Sequence, residues 1–177
     1  DGGTGAAPMS LMDNVGMVIK ESLLLVCDIL YKYGFKERIR VIASGKLVTP
    51  SEVAWAIASG ADFVVSARGF MFSLGCIQAL KCNKNTCPTG ITTHNKRLQK
   101  GLNPKEKAVR VANYALNMIH EVQTISHSCG VNRPRLMTRK HVHIVQYSGR
   151  SICMNELFPC PDILPEYKVT YSKYQQS

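Results

Sequence analysis

Long hydrophobic runs and a secretory signal are both missing from this 177-residue sequence. The apolar run from Leu23 to Cys27 ends at Asp28, far short of the ~20 apolar residues that cross a bilayer. The first residues, DGGTGA, are a glycine-rich loop rather than a signal peptide, so we expect the chain to be part of something longer. We predict a soluble, cytoplasmic globular protein with no membrane partner, and we expect Cys27 to lie in its core.

Acidic and aromatic residues are scarce. There are 12 Asp and Glu against 22 Lys and Arg, and aromatic residues make up 7% of the chain. The excess is uneven, since residues 63–177 carry sixteen basic residues and five acidic ones. Such a half could attract nucleic acid, an acidic protein or an anionic substrate, or be an ordinary solvated face. Only Phe70 and Phe72 stand near the basic stretch, so the aromatic platform of a single-strand binder is missing and nucleic acid is the least favoured partner.

Three of the seven cysteines are closely spaced. Cys76, Cys82 and Cys87 read Cys-x5-Cys-x4-Cys, and Pro88 follows the last one. Thiolates on a short, bent stretch of backbone are the ligands that an iron–sulfur cluster prefers. Three of them suit a three-iron cluster, or a four-iron cluster with one open or non-cysteine corner. Zinc and plain thiols remain alternatives, although the spacing lacks a Cys-x2-Cys pair and His94 is the only nearby imidazole.

Helix and strand patterns alternate through the first half of the chain. Gly34 would end a first helix, and the sequence TPSE from Thr49 would start another with a capping box. Continuous apolar strands joined by helices predict a parallel sheet covered on both faces. The predicted order is helix 15–33, strand 39–44, helix 50–59, strand 62–67 and helix 70–81.

The second half predicts helices without further strands. Residues 83–102 read as a loop, residues 103–130 as a long amphipathic helix, residues 139–146 as a short helix and the tail from Pro159 as extended. Two strands are too few for a complete sheet. We therefore predict the α/β class: the C-terminal portion of a (β/α)8 TIM barrel, with its last two strands and helices, plus a helical C-terminal extension. The predicted domains are residues 1–102 and 103–177.

Three loops contain glycine and donor groups. In a barrel of this kind the loops after the last two strands often bind phosphate, with glycines that let backbone N–H groups approach and cations that add charge. Ordinary surface turns would look similar. The candidate cofactor-binding residues are Ser44, Gly45 and Lys46 after the first strand, Ala67, Arg68 and Gly69 after the second, and Gly2, Gly3, Thr4 and Gly5 at the start of the chain.

The sequence resembles a known family in DGGTGA, RVIASGKL, ARGFM, LGCIQAL and CNKNTCPTGITTH. These segments are similar to the FMN-binding synthase domain of the glutamate synthase large subunit, over about residues 1–150. The resemblance implies a TIM barrel with FMN at the three loops and a [3Fe–4S] cluster on Cys76, Cys82 and Cys87. It also implies that 2-oxoglutarate and an amino-group donor give L-glutamate, with electrons from ferredoxin or an NADPH-linked reductase.

Other readings stay open. The chain contains no glutaminase segment, so ammonia or another amine could supply the nitrogen, and no catalytic residue is predicted. The alternative is a non-catalytic iron–sulfur electron-transfer or binding module. The basic residues after the cysteines further suggest that an acidic electron donor docks there, and the residues chosen for this surface are Lys96, Lys100 and Lys107.

Overall fold

The computed structural model describes residue 5 and residues 7–167. Helices and strands alternate through the first part of the chain, as predicted, and the α/β class is confirmed. The helices are α1 (Ile19–Lys32), α2 (Pro50–Ala58), α3 (Ala67–Ser73), α4 (Lys96–Gln99), α5 (Pro104–Ser128) and α6 (Met154–Leu157), and the strands are β1 (Ile42–Ser44), β2 (Phe63–Val65), β3 (His143–Val145) and β4 (Ser151–Cys153).

Strands β1 and β2 form a short parallel sheet. Ile42 is paired with Phe63 and Ser44 with Val65, and α2 connects the two strands. The predicted parallel pairing is therefore confirmed, although each strand is three residues long and shorter than predicted. The described residues contain no further parallel strand. The TIM barrel therefore stays a prediction, as does the domain division at residue 102.

Helix α2 begins where the sequence predicted. The Thr49 hydroxyl accepts a hydrogen bond from the Glu52 amide, and the Glu52 carboxylate accepts one from the Thr49 amide at 2.8 Å. These two bonds form a capping box, and Pro50 occupies the first helical position, where its missing N–H costs nothing. The start of α2 is thus fixed by local chemistry.

The main core lies between α1, β1, α2 and α5. Helix α5 packs against both α2 and α3, so it covers the outer side of the βαβ unit. Cys27 is fully buried, as predicted. None of the helices in residues 7–167 combines the length and apolar character needed to cross a membrane. The buried core residues are Leu23, Cys27, Ala43, Leu47, Val53, Ala56, Ala61 and Val122.

The predicted helix 70–81 is wrong at both ends. Helix α3 begins at Ala67 and ends at Ser73, so Arg68 and Gly69 lie in its first turn rather than in a preceding loop. Gly75, Gln78 and Leu80 all have positive φ. A right-handed helix cannot continue through such backbone, and Cys76 therefore lies in an irregular segment after the helix.

The predicted helix 139–146 is also wrong. A 3₁₀ turn spans Arg139–His141, and the chain then forms an antiparallel hairpin of β3 and β4, in which Ile144 is paired with Ile152. The β-branched residues of β3 suit a strand, and the turn at Gly149 has the positive φ that glycine permits. The C-terminal extension is therefore not all helical.

Two segments that were predicted without helices differ in outcome. Residues 159–164 have no regular structure, whereas helix α4 interrupts the predicted loop 83–102.

Asp62 ties the start of β2 to the segment before β1. Its carboxylate accepts a hydrogen bond from the Lys36 ammonium and another from the Val41 amide, each at 2.8 Å. Both side chains are nearly buried, with 11% of Asp62 and 9% of Lys36 exposed. Burial raises the pKa of Asp62, but the bonds from Lys36 and Val41 lower it by more, so the net shift is below the ordinary value.

We expect Asp62→Asn to reduce the free energy of unfolding by about 2 kcal/mol at pH 7, because it leaves the Lys36 charge buried without its partner. The folded-state pKa of Asp62 is lowered, so its contribution is present above the unfolded pKa of about 3.9 and disappears as pH falls through the folded value. Urea unfolding between pH 2 and 7 measures this. The matched control is Asp162→Asn at an exposed carboxylate. An equal loss at pH 2 and pH 7 would contradict the argument.

Candidate functional site

Two cations meet at the carboxyl edge of the parallel sheet. Because β1 and β2 are parallel, the loops that follow them lie at the same edge. Lys46 follows β1 and Arg68 follows β2. Both contact Asp13, with Arg68 Nη2 at 3.2 Å and Lys46 Nζ at 3.4 Å from the same carboxylate oxygen, Oδ1. The structure therefore brings together the two basic residues that the sequence singled out.

Asp13 behaves as the counter-ion of this pair. Burial raises the pKa of its carboxyl group, and Arg68 and Lys46 lower it by more, so the pKa lies below its ordinary value. About a third of the Asp13 side chain is exposed, so another anion could replace it from solvent. Sequence reasoning missed Asp13, which no local pattern marks. This arrangement can bind one anionic group between the Arg68 guanidinium and the Lys46 ammonium.

Gly45 and Gly69 are required by packing. A Cβ on Gly45 would lie 2.7 Å from the Cβ of Ile19 in α1. A Cβ on Gly69 would lie 1.9 Å from the Tyr114 hydroxyl oxygen. Real Cβ atoms do not approach other atoms this closely, so the loop after β1 depends on Gly45 to let α1 approach, and α3 depends on Gly69 to let α5 approach. Their predicted contact with a ligand stays a prediction.

Tyr114 is a site residue that sequence reasoning missed. Its hydroxyl donates to the carbonyl of Val48, after β1, and hydrogen-bonds Ser66 Oγ, after β2, each at 2.8 Å. One signal could have found it, because Tyr114 lies three residues after Val111 and four before Met118, on the apolar face of α5. Its aromatic ring fitted the core pattern, but nothing in the sequence indicated what its hydroxyl contacts.

The three closely spaced cysteines lie in one loop but do not form a preformed metal site. Cys76 follows α3, Cys82 begins a 3₁₀ turn at residues 82–84, and Cys87 is buried. No group of three or more His, Cys, Asp or Glu side chains within residues 7–167 is arranged to hold a metal ion. Cys82 does lie beside the first loop of the chain, because a Cβ on Gly5 would be 3.2 Å from its sulfur.

Cys87 has the chemistry of a metal ligand. Burial raises the pKa of its thiol, but hydrogen bonds from the Thr89 hydroxyl, 3.3 Å away, and from the Thr92 backbone lower it to about 6. Cys87 is therefore mostly a thiolate at neutral pH, the form that binds metals. The donor atoms thus suit an iron–sulfur cluster, while their positions require the loop to rearrange around it.

The cysteine loop is braced by its own polar groups. The Asn85 side-chain oxygen accepts from the His94 amide, and the Asn85 carbonyl accepts from the Thr93 hydroxyl, each at 2.6 Å. Gly90 then turns the chain with a φ of +80°. A Cβ there would lie 2.3 Å from the carbonyl oxygen of Leu98, at the end of α4. Helix α4 therefore packs directly on the turn that follows Cys87.

The fold and site define a class of protein: an α/β segment with two paired cations at its sheet edge and a cysteine-rich loop further along the chain. Residues 1–132 match the family model described as a conserved region in glutamate synthase. The chain belongs to the glutamate synthase family.

Three relatives illustrate the match. The chain is 42% identical to the "glutamate synthase large subunit-like protein YerD" of Bacillus subtilis over 89% of its length, which is 30% of that relative. It is 37% identical to an "archaeal glutamate synthase [NADPH]" of Methanocaldococcus jannaschii, over 74% of this chain and 26% of the relative. It is 31% identical to the "glutamate synthase [NADPH] large chain" of Bacillus subtilis, over 70% of this chain and 8% of the relative. The chain thus spans less than a third of each of these proteins.

Proposed function

We propose that this chain is the C-terminal part of the barrel of an FMN- and iron–sulfur-dependent glutamate synthase, which makes L-glutamate from 2-oxoglutarate and the nitrogen of ammonia or glutamine. The match of residues 1–132 to the conserved region of glutamate synthase carries the proposal. The cations at the sheet edge and the Cys87 thiolate support it, because these are the groups that a flavin phosphate and an iron–sulfur cluster need.

The barrel is supported by a largely exposed apolar face of the β1–β2 sheet, on which the Arg135 guanidinium lies 5.2 Å from the centre of the Phe63 ring. Ala43 points into the core, whereas the side chains of Ile42 (63%), Phe63 (49%) and Val65 (44%) are exposed beside one another. Parallel sheets are almost always covered on both faces, and the interior of a (β/α)8 barrel is filled by large apolar side chains. We infer that this face points into such an interior, which further strands would complete.

Lys46 and Arg68 would hold the FMN phosphate in place of the Asp13 carboxylate. FMN supplies the hydride-transfer chemistry, and the protein supplies binding and orientation. Gly5 of the first loop lies beside Cys82, because a Cβ on Gly5 would be 3.2 Å from the Cys82 sulfur. The other predicted residues of this loop, Gly2, Gly3 and Thr4, lie outside the described residues, and their contact with flavin stays a prediction.

Cys76, Cys82 and Cys87 would ligate the [3Fe–4S] cluster. Metal binding and local folding are coupled in many small sites, so thiols that are apart without metal can converge around it. The irregular backbone from Gly75 to Leu80, with its positive φ angles, leaves Cys76 just outside α3, where its amide donates to the Met71 carbonyl at 3.0 Å.

Flavin binding and turnover test the proposal. The protein in its natural full length should copurify with about one FMN per chain, and 2-oxoglutarate with ammonium or glutamine should reoxidise the photoreduced flavin. Lys46→Ala/Arg68→Ala should lower the FMN content about tenfold or more, because two charged contacts are lost. The control is Lys32→Ala/Arg133→Ala, at exposed cations of other elements. Iron without flavin reoxidation would favour the non-catalytic electron-transfer module instead.

A cationic surface beside the cysteine loop suits an acidic electron-donor protein. Lys96, Arg97 and Lys100 are exposed on and after α4, which packs on the turn after Cys87. Lys107 fits this surface less well than predicted, because its side chain is only 14% exposed and pairs with Glu106 at 3.2 Å. It lies instead against Gly75, next to Cys76.

We expect charge reversal of Lys96, Arg97 and Lys100 to glutamate to slow reduction by a ferredoxin about tenfold at low salt, because steering of the donor is lost. The difference should shrink as ionic strength rises. Stopped-flow reduction at several salt concentrations measures it. Reversal of Lys20, Lys32 and Arg133 changes the net charge equally and serves as the control. If both triple variants slow reduction equally, the overall charge rather than this surface is responsible.

A further inference from the structure

A chain of two hydrogen bonds connects the loop after β1 to Ser66, the residue between β2 and α3. The Val48 carbonyl can only accept, so the single Tyr114 hydroxyl proton points to it, and Ser66 Oγ must donate to the Tyr114 oxygen. The chain runs from Ser66 through Tyr114 to Val48, and each bond polarises the next. Lys46 is two residues before Val48, and Arg68 is two residues after Ser66. The two residues that Tyr114 contacts are therefore each two positions away from one of the cations.

The surroundings of Tyr114 are shaped for this contact. Ser66 is the N-cap residue of α3, where serine usually accepts a bond from the helix backbone, yet its hydroxyl caps nothing and is bonded to Tyr114 instead. Gly69 leaves room for the Tyr114 hydroxyl, which a Cβ would overlap. The Phe70 ring packs edge-on against the Tyr114 ring, with centroids 5.0 Å apart. The ring is thus held even when its hydroxyl is removed.

We propose that Tyr114 is a positioning residue for the phosphate end of the flavin. By tying Val48 to Ser66, it fixes the spacing between the loop that carries Lys46 and the start of α3, which carries Arg68, and so the distance between the two cations. This inference rests on the proposed FMN site. It predicts that Tyr114 acts on ligands that carry a phosphate and not on the flavin ring, because the anionic phosphate is the group that the two cations would hold.

The test compares FMN with riboflavin, which lacks the phosphate. In the apo form of the protein in its natural full length, Tyr114→Phe should raise the Kd for FMN about tenfold, as expected for two lost hydrogen bonds. The Kd for riboflavin should change less than about twofold. Quenching of flavin fluorescence measures both. Ser66→Ala removes one of the two bonds and should give a smaller change, and Tyr147→Phe, at a fully exposed tyrosine of the β3–β4 turn, is the matched control.

The outcomes separate the inference from the function on which it rests. Wild-type protein that binds neither flavin overturns both. Wild-type protein that binds FMN well, with Tyr114→Phe unchanged, overturns the positioning role and leaves the flavin site standing. A variant that weakens FMN and riboflavin equally also overturns it, because Tyr114 would then stabilise the fold or the ring site in general. Selective loss of FMN, with riboflavin binding retained, supports it.

Discussion

Replacing Cys82 with alanine is expected to reduce the iron content from about three atoms per chain to less than one. A cluster on three cysteines loses one of its three ligands in this variant, and His94 is the only imidazole close to them in the sequence. The EPR signal of the oxidised cluster should disappear with the iron. The measurement is an iron and acid-labile sulfide assay on the anaerobically purified protein in its natural full length.

Cys160→Ala is the matched control for Cys82→Ala. Cys160 is an exposed residue outside the cysteine loop, and partial desolvation raises the pKa of its thiol above the ordinary value, so it suits metal binding poorly. The control should retain its iron. Wild-type protein that is folded but holds no iron would reject the cluster at Cys76, Cys82 and Cys87. Retention of iron in Cys82→Ala would show that other ligands hold it.

Gly90→Ala is expected to reduce the free energy of unfolding by about 3 kcal/mol or more. Two effects add, since a Cβ is disfavoured at a φ of +80° and would also lie 2.3 Å from the Leu98 carbonyl oxygen. The clashing atom belongs to the backbone of α4, so it cannot be relieved by turning a side chain. Chemical denaturation measures the change in the free energy of unfolding.

Gly130→Ala separates the two effects at Gly90. Its φ is +79°, nearly the same, but nothing lies within 4 Å of the added Cβ. We expect it to cost about 1 kcal/mol, from backbone strain alone. Equal losses at Gly90 and Gly130 would show that the close approach of α4 is not important for stability. A larger loss at Gly90 would show that α4 holds the cysteine loop in place.

Local signals predicted some elements well. The capping box at Thr49 and Pro50 fixed the start of α2, and the pairing of apolar segments gave the parallel sheet. The end of α3 was predicted wrongly because the sequence after Phe70 has the apolar spacing of a helix. In the structure, Gly75 and Leu80 have positive φ, which ends the helix before them. The hairpin of β3 and β4 was missed because its strands, HIV and SIC, lack the longer apolar runs that marked β1 and β2 in the sequence.

The amino-acid sequence by itself determined the class and the family of this protein. The types of residue and their spacing are enough to indicate the class and the family, as the three cysteines and the segments around Lys46 and Arg68 illustrate. Only the tertiary structure decided that these two cations share Asp13, that Tyr114 joins their loops, and that Gly69 and Gly90 are needed for packing. The reason is physical: these contacts join residues up to 66 positions apart, and no local preference encodes which distant groups meet.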